Sequence, residues 1–160
     1  VKAGSKSITV DKHLTRGLPP VRLDRQQIKQ VLLNLLLNAL DAMADGGGRL
    51  TVKTHRLIKQ RRDAWVQIEI ADTGSGIPAD NLEHIFDPFY TTKHESGERE
   101  GTGLGLSIVH QIIQEHRGYI EVDSAVGSGT TFFVNLPVNP VFVDPSKERH
   151  GHEETNPIGR

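Results

Sequence analysis

The chain of 160 residues contains no cysteine. That excludes disulfide staples, thiolate nucleophiles and cysteine-ligated metals, and it agrees with a reducing compartment, so a cytoplasmic location is expected. No apolar run reaches the length needed to cross a bilayer, and no secretory leader is visible. Direct membrane contact by this segment is therefore not expected, whatever anchors a parent protein. With a net charge of −1 the chain lacks the basic excess that nucleic acid or an anionic surface demands. Aromatic residues are scarce at 5%, and the hydrophobic share of 36% is modest. Against these shortages stand 16 glycines, which promise substantial loops beside an ordinary core. The length suits one domain. The chain opens at Val1 with sequence of mid-protein character, so it reads as an excised domain.

The stretch Gln30 to Met43, QVLLNLLLNALDAM, is a strong helix former interrupted by polar residues. Asn34 and Asn38 are four apart and Asp41 follows three later. At about 3.6 residues per turn they point the same way. Ile28, Val31, Leu32, Leu35, Leu36, Ala39, Leu40 and Met43 supply apolar flanks for burial. Asparagine in mid-helix is a mediocre choice for propensity alone. The stripe is either the wet face of a surface helix or the lining of a pocket that offers oxygens to a metal or polar ligand.

Taken in order, Ser7 to Leu14 reads as a short strand. Gly17, Pro19 and Pro20 turn the chain, and Val21 to Leu23 reads as a second short strand. Asp24 with Gln27 three residues later is a capping-box pattern for a helix from Arg25 to Ala44. Arg49 to Leu57 and Ala64 to Ala71 alternate with period two and should pair antiparallel across a basic turn at Lys59, Arg61 and Arg62. Trp65 is assigned to packing. Asp80 is read as the cap of a short helix holding Leu82, Ile85 and Phe86. Residues 87–100 read as a long loop. An amphipathic helix from Leu104 to His116 buries Ile108, Val109, Ile112 and Ile113. Strands at Tyr119 to Asp123 and Thr130 to Leu136 flank a turn at Ala125 to Gly129, and Pro137 ends the last. The implied fold is an α/β (α+β) sandwich, a mixed and mostly antiparallel sheet covered on one face by helices. The domain spans residues 1–137, and 138–160 form a polar tail or linker.

Two further segments carry chemistry. Asp72-Thr73-Gly74-Ser75-Gly76-Ile77 begins where a strand ends, so its carboxylate is fixed in position and its glycines permit close approach to a flat ligand. Gly101-Thr102-Gly103-Leu104-Gly105-Leu106 runs into a helix, where backbone N–H groups suit an anion such as phosphate. It is not a Walker loop, because no lysine follows in that arrangement. It also lacks the preceding strand of a dinucleotide fingerprint.

Together these segments resemble the catalytic and ATP-binding domain of sensor histidine kinases, of the superfamily with gyrase-type, heat-shock and mismatch-repair ATPases. The resemblance covers about residues 5–137 and implies a Bergerat-type ATP-binding fold that uses ATP and Mg²⁺. Asn34 to Ala39 is similar to the N box. There Asn38 would ligate Mg²⁺ and Asn34 would support the metal or phosphate. Asp72, with Gly74, Gly76 and Ile77, is similar to the G1 box and would receive the adenine amino group. Phe86 to Phe89 resembles the F box, and Tyr90-Thr91-Thr92-Lys93 would open the ATP lid. Gly101, Thr102, Gly103, Leu104, Gly105 and Leu106 resemble the G2 box at the lid's far hinge. Thr130 in Gly127-Ser128-Gly129-Thr130 would meet the adenine end. Asp41 stands where many such kinases have a basic residue. The Asn-Ala-x-Asp-Ala-Met form is similar to the nitrogen-regulation subgroup, and Lys93 would supply positive charge to the terminal phosphates.

ATP-hydrolysing members of the superfamily carry a glutamate at the Asn34 position. Asparagine is no general base near neutral pH, so the resemblance implies a domain that holds ATP for an external nucleophile. That nucleophile would be a histidine on a separate dimerisation domain, with a response regulator downstream. None of the eight histidines here has the expected acceptor context, so the chain alone should not phosphorylate itself. Two competing readings are a stand-alone serine kinase of the anti-sigma type and a non-catalytic nucleotide-binding or interaction module.

Overall fold

Period-two alternation builds the sheet. In the computed structural model, which describes residues 7–59, 63–90 and 103–138, five strands and three helices follow in order. They are β1 (Ile8–His13), α1 (Arg25–Ala42), β2 (Gly48–Ile58), β3 (Ala64–Asp72), α2 (Ala79–Leu82), α3 (Gly105–Glu115), β4 (Tyr119–Ala125) and β5 (Gly129–Pro137). The spatial order is β1-β2-β3-β5-β4. Only β1 and β2 run parallel; the other pairs are antiparallel. This is the mixed sheet the sequence implies. Val66, Ile70, Phe132, Val134 and Leu136 point to one face and are buried. Trp65, Gln67 and Glu69 alternate onto the other.

The two long helices cover the apolar face. Val31 and Leu35 of α1 and Val109 and Ile113 of α3 are fully buried and join Ile70, Val134 and Leu136 in one core. Asp24 caps α1 by accepting from the N–H groups of Gln26 and Gln27 at 2.8 and 2.9 Å. Gln27 does not close a capping box. Its amide reaches instead to Glu115 at the end of α3, 3.4 Å away. The Asp24 N–H donates to His116 Nε2 at 2.8 Å. That nitrogen must therefore be unprotonated, while Nδ1, 2.7 Å from the Ile112 carbonyl, carries the proton. The start of α1 and the end of α3 are thus sewn together.

Several expectations need correction. Val21–Leu23 is not a strand; it runs as irregular chain with Val21 packed on the core. The helix after Asp24 ends at Ala42, two residues earlier than expected. Asp80 lies inside the first turn of α2, after an N-cap at Pro78 that makes no side-chain bond. Ile85 and Phe86 lie beyond that helix in turns. Leu40, read as a buried flank, is 38% exposed; Leu33 and Leu37, which the spacing leaves off that flank, are exposed too. The basic turn at Arg61 and Arg62, the loop at 91–102 and the tail at 139–160 lie outside the described residues.

The open face is polar and ordered by strand-to-strand contacts. Lys53 and His55 of β2 approach Glu69 of β3 at 2.9 and 3.1 Å. Burial alone would raise the Glu69 carboxyl, but hydrogen bonds and charge from Lys53 and His55 together hold it below its ordinary value. Next to this cluster Gln67 donates to fully buried Asn135 at 3.0 Å, and Asn135 donates to Glu121 at 3.1 Å. Trp65 packs edge-on against Tyr119, and Lys59 lies over both rings.

Leu35→Ala should destabilise the domain by about 2–5 kcal/mol, and Leu33→Ala by about 0.5 kcal/mol or less, in urea unfolding. A comparable loss for both would contradict the assigned face of α1. Because the Glu69 carboxyl is depressed, its share of stability is present above its ordinary pKa of 4.5 and lost as pH falls through the lower folded value. Glu69→Gln should flatten that part of the acid limb in melting curves recorded against pH.

Candidate active site

On β3, β5 and β4 the inward alternation is apolar until the last row. Ile70 pairs with Phe132, and Phe132 with Val122; two residues further on, Asp72 pairs with Thr130 and Thr130 with Ser124. The same face that forms the core therefore presents three polar residues in one row where β3 ends. Asp72 and Thr130 are both nearly buried. Burial pushes the Asp72 carboxyl above its ordinary value, against the opposing effect of N–H groups from Gly74 and Thr130. The Gly74 N–H donates to Asp72 Oδ1 at 2.8 Å. A largely buried carboxylate held by backbone donors keeps its remaining lone pairs for a donor from outside.

The glycine turn after Asp72 is wedged between two elements. On one side the Ser75 N–H donates to the Ala42 carbonyl at the end of α1, 3.1 Å away. On the other the Gly127 N–H donates to the Ser75 carbonyl at 2.8 Å, and the Ile77 N–H donates to Ser124 Oγ at 2.8 Å. The fit explains the glycines. Gly76 has φ +73°, and a Cβ there would overlap the Ala125 carbonyl oxygen; a Cβ on Gly129, at φ +91°, would overlap that of Asp72.

The polar stripe of α1 forms another wall. Asn34 and Asn38 are half-buried and Asp41 is exposed. The Asn34 amide donates to the Gly105 carbonyl at 3.2 Å, joining α1 to the first residue of α3. That bond leaves its Oδ1 as an acceptor. Asn38 makes no side-chain hydrogen bond to another described residue. Gly103 and Leu104 lead into α3, with Leu104 at its N-cap. The Phe89 N–H donates to the Gly103 carbonyl at 3.0 Å, so the chain ends flanking residues 90–102 are joined at their base. Phe89 takes a left-handed backbone at φ 66°, and the residue is 74% exposed. Beside it Phe86 stacks on His110 of α3 with ring centres 5.2 Å apart.

Thus the Asp72 turn, with Gly74 and Gly76, meets the end of α1 on one side and the β4–β5 turn on the other, with Thr130 paired to Asp72, while Asn34 meets Gly105 at the start of α3; Asn38 lies on α1 one turn after Asn34, and Gly103 and Leu104 precede α3. Ile77 and Leu106 pack against the core. Thr92, Lys93, Gly101 and Thr102 lie outside the described residues. Ser124 was missed by ending β4 at Asp123; the inward positions Ile120 and Val122 predict it two residues on. No cluster of three or more His, Asp or Glu side chains suited to a metal occurs among the described residues. A divalent cation here would rest on amide oxygens, completed by water and by a ligand's own oxygens, since Mg²⁺ keeps several waters and takes phosphate oxygens when bound.

The family profile described as histidine kinase-, DNA gyrase B-, and HSP90-like ATPase matches residues 23–140. Sensor kinase CckA of Brucella abortus is 48% identical over 76% of this chain and 14% of its own length. Sensor histidine kinase ZraS of Escherichia coli K12 is 41% identical over 89% of this chain and 28% of its own. Sensory histidine kinase/phosphatase NtrB of Rhodobacter capsulatus is 45% identical over 78% of this chain and 35% of its own. The chain therefore spans about a third or less of these relatives. Among solved structures, the catalytic domain of histidine kinase ThkA superposes with a TM-score of 0.67 at 34% identity, covering 83% of this chain and 82% of that one. The family match over most of the chain and the likeness to a solved catalytic domain along nearly its whole length show that the chain belongs to the histidine kinase-, DNA gyrase B-, and HSP90-like ATPase family as a histidine kinase catalytic domain.

Proposed function

We propose that this domain binds ATP between α1 and the ends of β3 and β5, and donates its γ-phosphoryl group to a histidine on a separate dimerisation domain of the same kinase. A response regulator then receives the phosphoryl group, and the reaction takes place in the cytoplasm, where ATP is available. The observation that carries this reading is the chemistry at position 34. Asn34 spans to Gly105 through its amide and offers no carboxylate to activate water. The domain then contributes position and charge rather than a base.

Asp72 accepts from the adenine amino group, with Thr130 beside it. Gly74 and Gly76 keep backbone next to the base. The N–H groups from Gly101 to Leu106, at the entry to α3, receive phosphate oxygens. Phe89, Tyr90, Thr92 and Lys93 belong to the cover over the phosphates, with Lys93 as its cation. Asn38, aided by Asn34 Oδ1, would hold Mg²⁺, which neutralises charge on the phosphates when bound. Asp41 lies on the same stripe, facing water. Residues up to 137 form the functional unit, and 138–160 serve as a tail or linker.

Asn38→Ala removes a side chain with no described partner and should leave melting within a few degrees. It should lower Mg²⁺-dependent ATP affinity by about tenfold or more, the scale of a charge-assisted contact. Calorimetry with and without Mg²⁺ checks this, and an unchanged Mg²⁺ dependence would remove Asn38 from its role. With γ-labelled ATP the domain alone should incorporate negligible label. Added dimerisation domain from its own kinase should become labelled on histidine, and label on serine instead would favour the serine-kinase reading.

A further inference from the structure

Ser124 has three partners and only one arrangement of protons satisfies them all. Its Oγ lies 2.8 Å from the Ile77 nitrogen, 3.0 Å from the Gly129 carbonyl oxygen and 2.8 Å from Thr130 Oγ1. A hydroxyl has one proton and two lone pairs. The Ile77 N–H can only donate, so it takes one lone pair. The Gly129 carbonyl can only accept, so it takes the proton. The remaining lone pair of Ser124 must then receive the proton of Thr130. What Thr130 Oγ1 still offers is acceptor capacity alone.

Asp72 stands in the adjacent position of the same row, and its ionised carboxylate also only accepts. The row Asp72–Thr130 is therefore an all-acceptor surface, and it is so because Ser124 turns the Thr130 proton away. We propose that Ser124 is a specificity-determining positioning residue. By fixing the Thr130 hydroxyl as an acceptor, it makes this end of the site favour a base with an amino group at the 6-position and reject one with a 6-oxo group. The inference rests on the reading that the base of ATP lies against Asp72. Ser124 need not touch the nucleotide. Its hydroxyl links the turn after β3, through Ile77, to the β4–β5 turn, through Gly129, and sets a proton on the residue between them. Without it, the Thr130 hydroxyl is free to rotate and can donate to a 6-oxo group. A site that hydrogen-bonds one edge pattern discriminates against its inverse far more strongly than shape alone does.

The test compares ATP with inosine triphosphate, which differs at the 6-position and N1, by calorimetry on the wild type, Ser124→Ala, Ser124→Thr and Thr130→Val. The wild type should prefer ATP. Ser124→Ala should reduce that preference by about tenfold, the scale of one or two hydrogen bonds, mostly by weakening ATP while inosine triphosphate holds or gains. Ser124→Thr, which keeps the hydroxyl, should restore it. Thr130→Val should show the same loss, and adding Ser124→Ala to it should change the preference no further. Equal weakening of both nucleotides in Ser124→Ala would mean that Ser124 only supports the loops, and would overturn the proposal. Should Ser124→Ala fail to fold, a full ATP preference in Thr130→Val overturns it equally well. If the wild type itself shows no preference for ATP, the placement of the base at Asp72 fails, a result distinct from failure of Ser124's role.

Discussion

The register between β3 and β5 is the constraint on which the rest depends. Side chains alternate along a strand, so a slip of one residue would move every core residue of β5 to the wet face. The apolar pairs Val66–Leu136, Ile68–Val134 and Ile70–Phe132 hold that register by burial. The same register carries Asp72 and Thr130 to the core face at the point where apolar cover ends. The polar row is thus not separately positioned. It inherits its place from the hydrophobic core, which contributes about 1.5–3 kcal/mol per large side chain.

Around that row the helices complete the region by a few specific bonds. His116 and the Asp24 N–H tie the far ends of α1 and α3, and Asn34 ties α1 to the start of α3 through Gly105. The two helices therefore meet at both ends of their contact. A relative shift of α3 would alter the glycine entry and the asparagine stripe together. That coupling suits a domain whose task is to hold a nucleotide in one geometry, since phosphoryl transfer draws mainly on positioning and electrostatics.

Much of this was legible in the residues. The alternating runs at 49–57 and 64–71 and the capped helix from Arg25 are local patterns, and local patterns survive folding. Val21–Leu23 misled because three residues after two prolines have apolar content but no ladder partner. Asp80 misled because an acidic residue suits the first turn of a helix as well as its cap. The spacing left Leu33 and Leu37 off the buried flank, as the structure has them, but Leu40 misled because it borders the apolar arc, where spacing alone does not decide between sheet and water. The reach of Asn34 to Gly105 spans 71 positions and leaves no local trace. Ser124 was one residue past the assumed strand end, and its importance lies in a proton count that only geometry supplies.

The most direct test of the central claim is a crystal structure of the domain with a non-hydrolysable ATP analogue and Mg²⁺. The account predicts the base amino group within hydrogen-bonding distance of Asp72, or one water away, with Thr130 beside it. It also predicts Mg²⁺ bound by Asn38 Oδ1 and phosphate oxygens. A base seated away from β3 and β5, or a metal that does not touch Asn38, would contradict it.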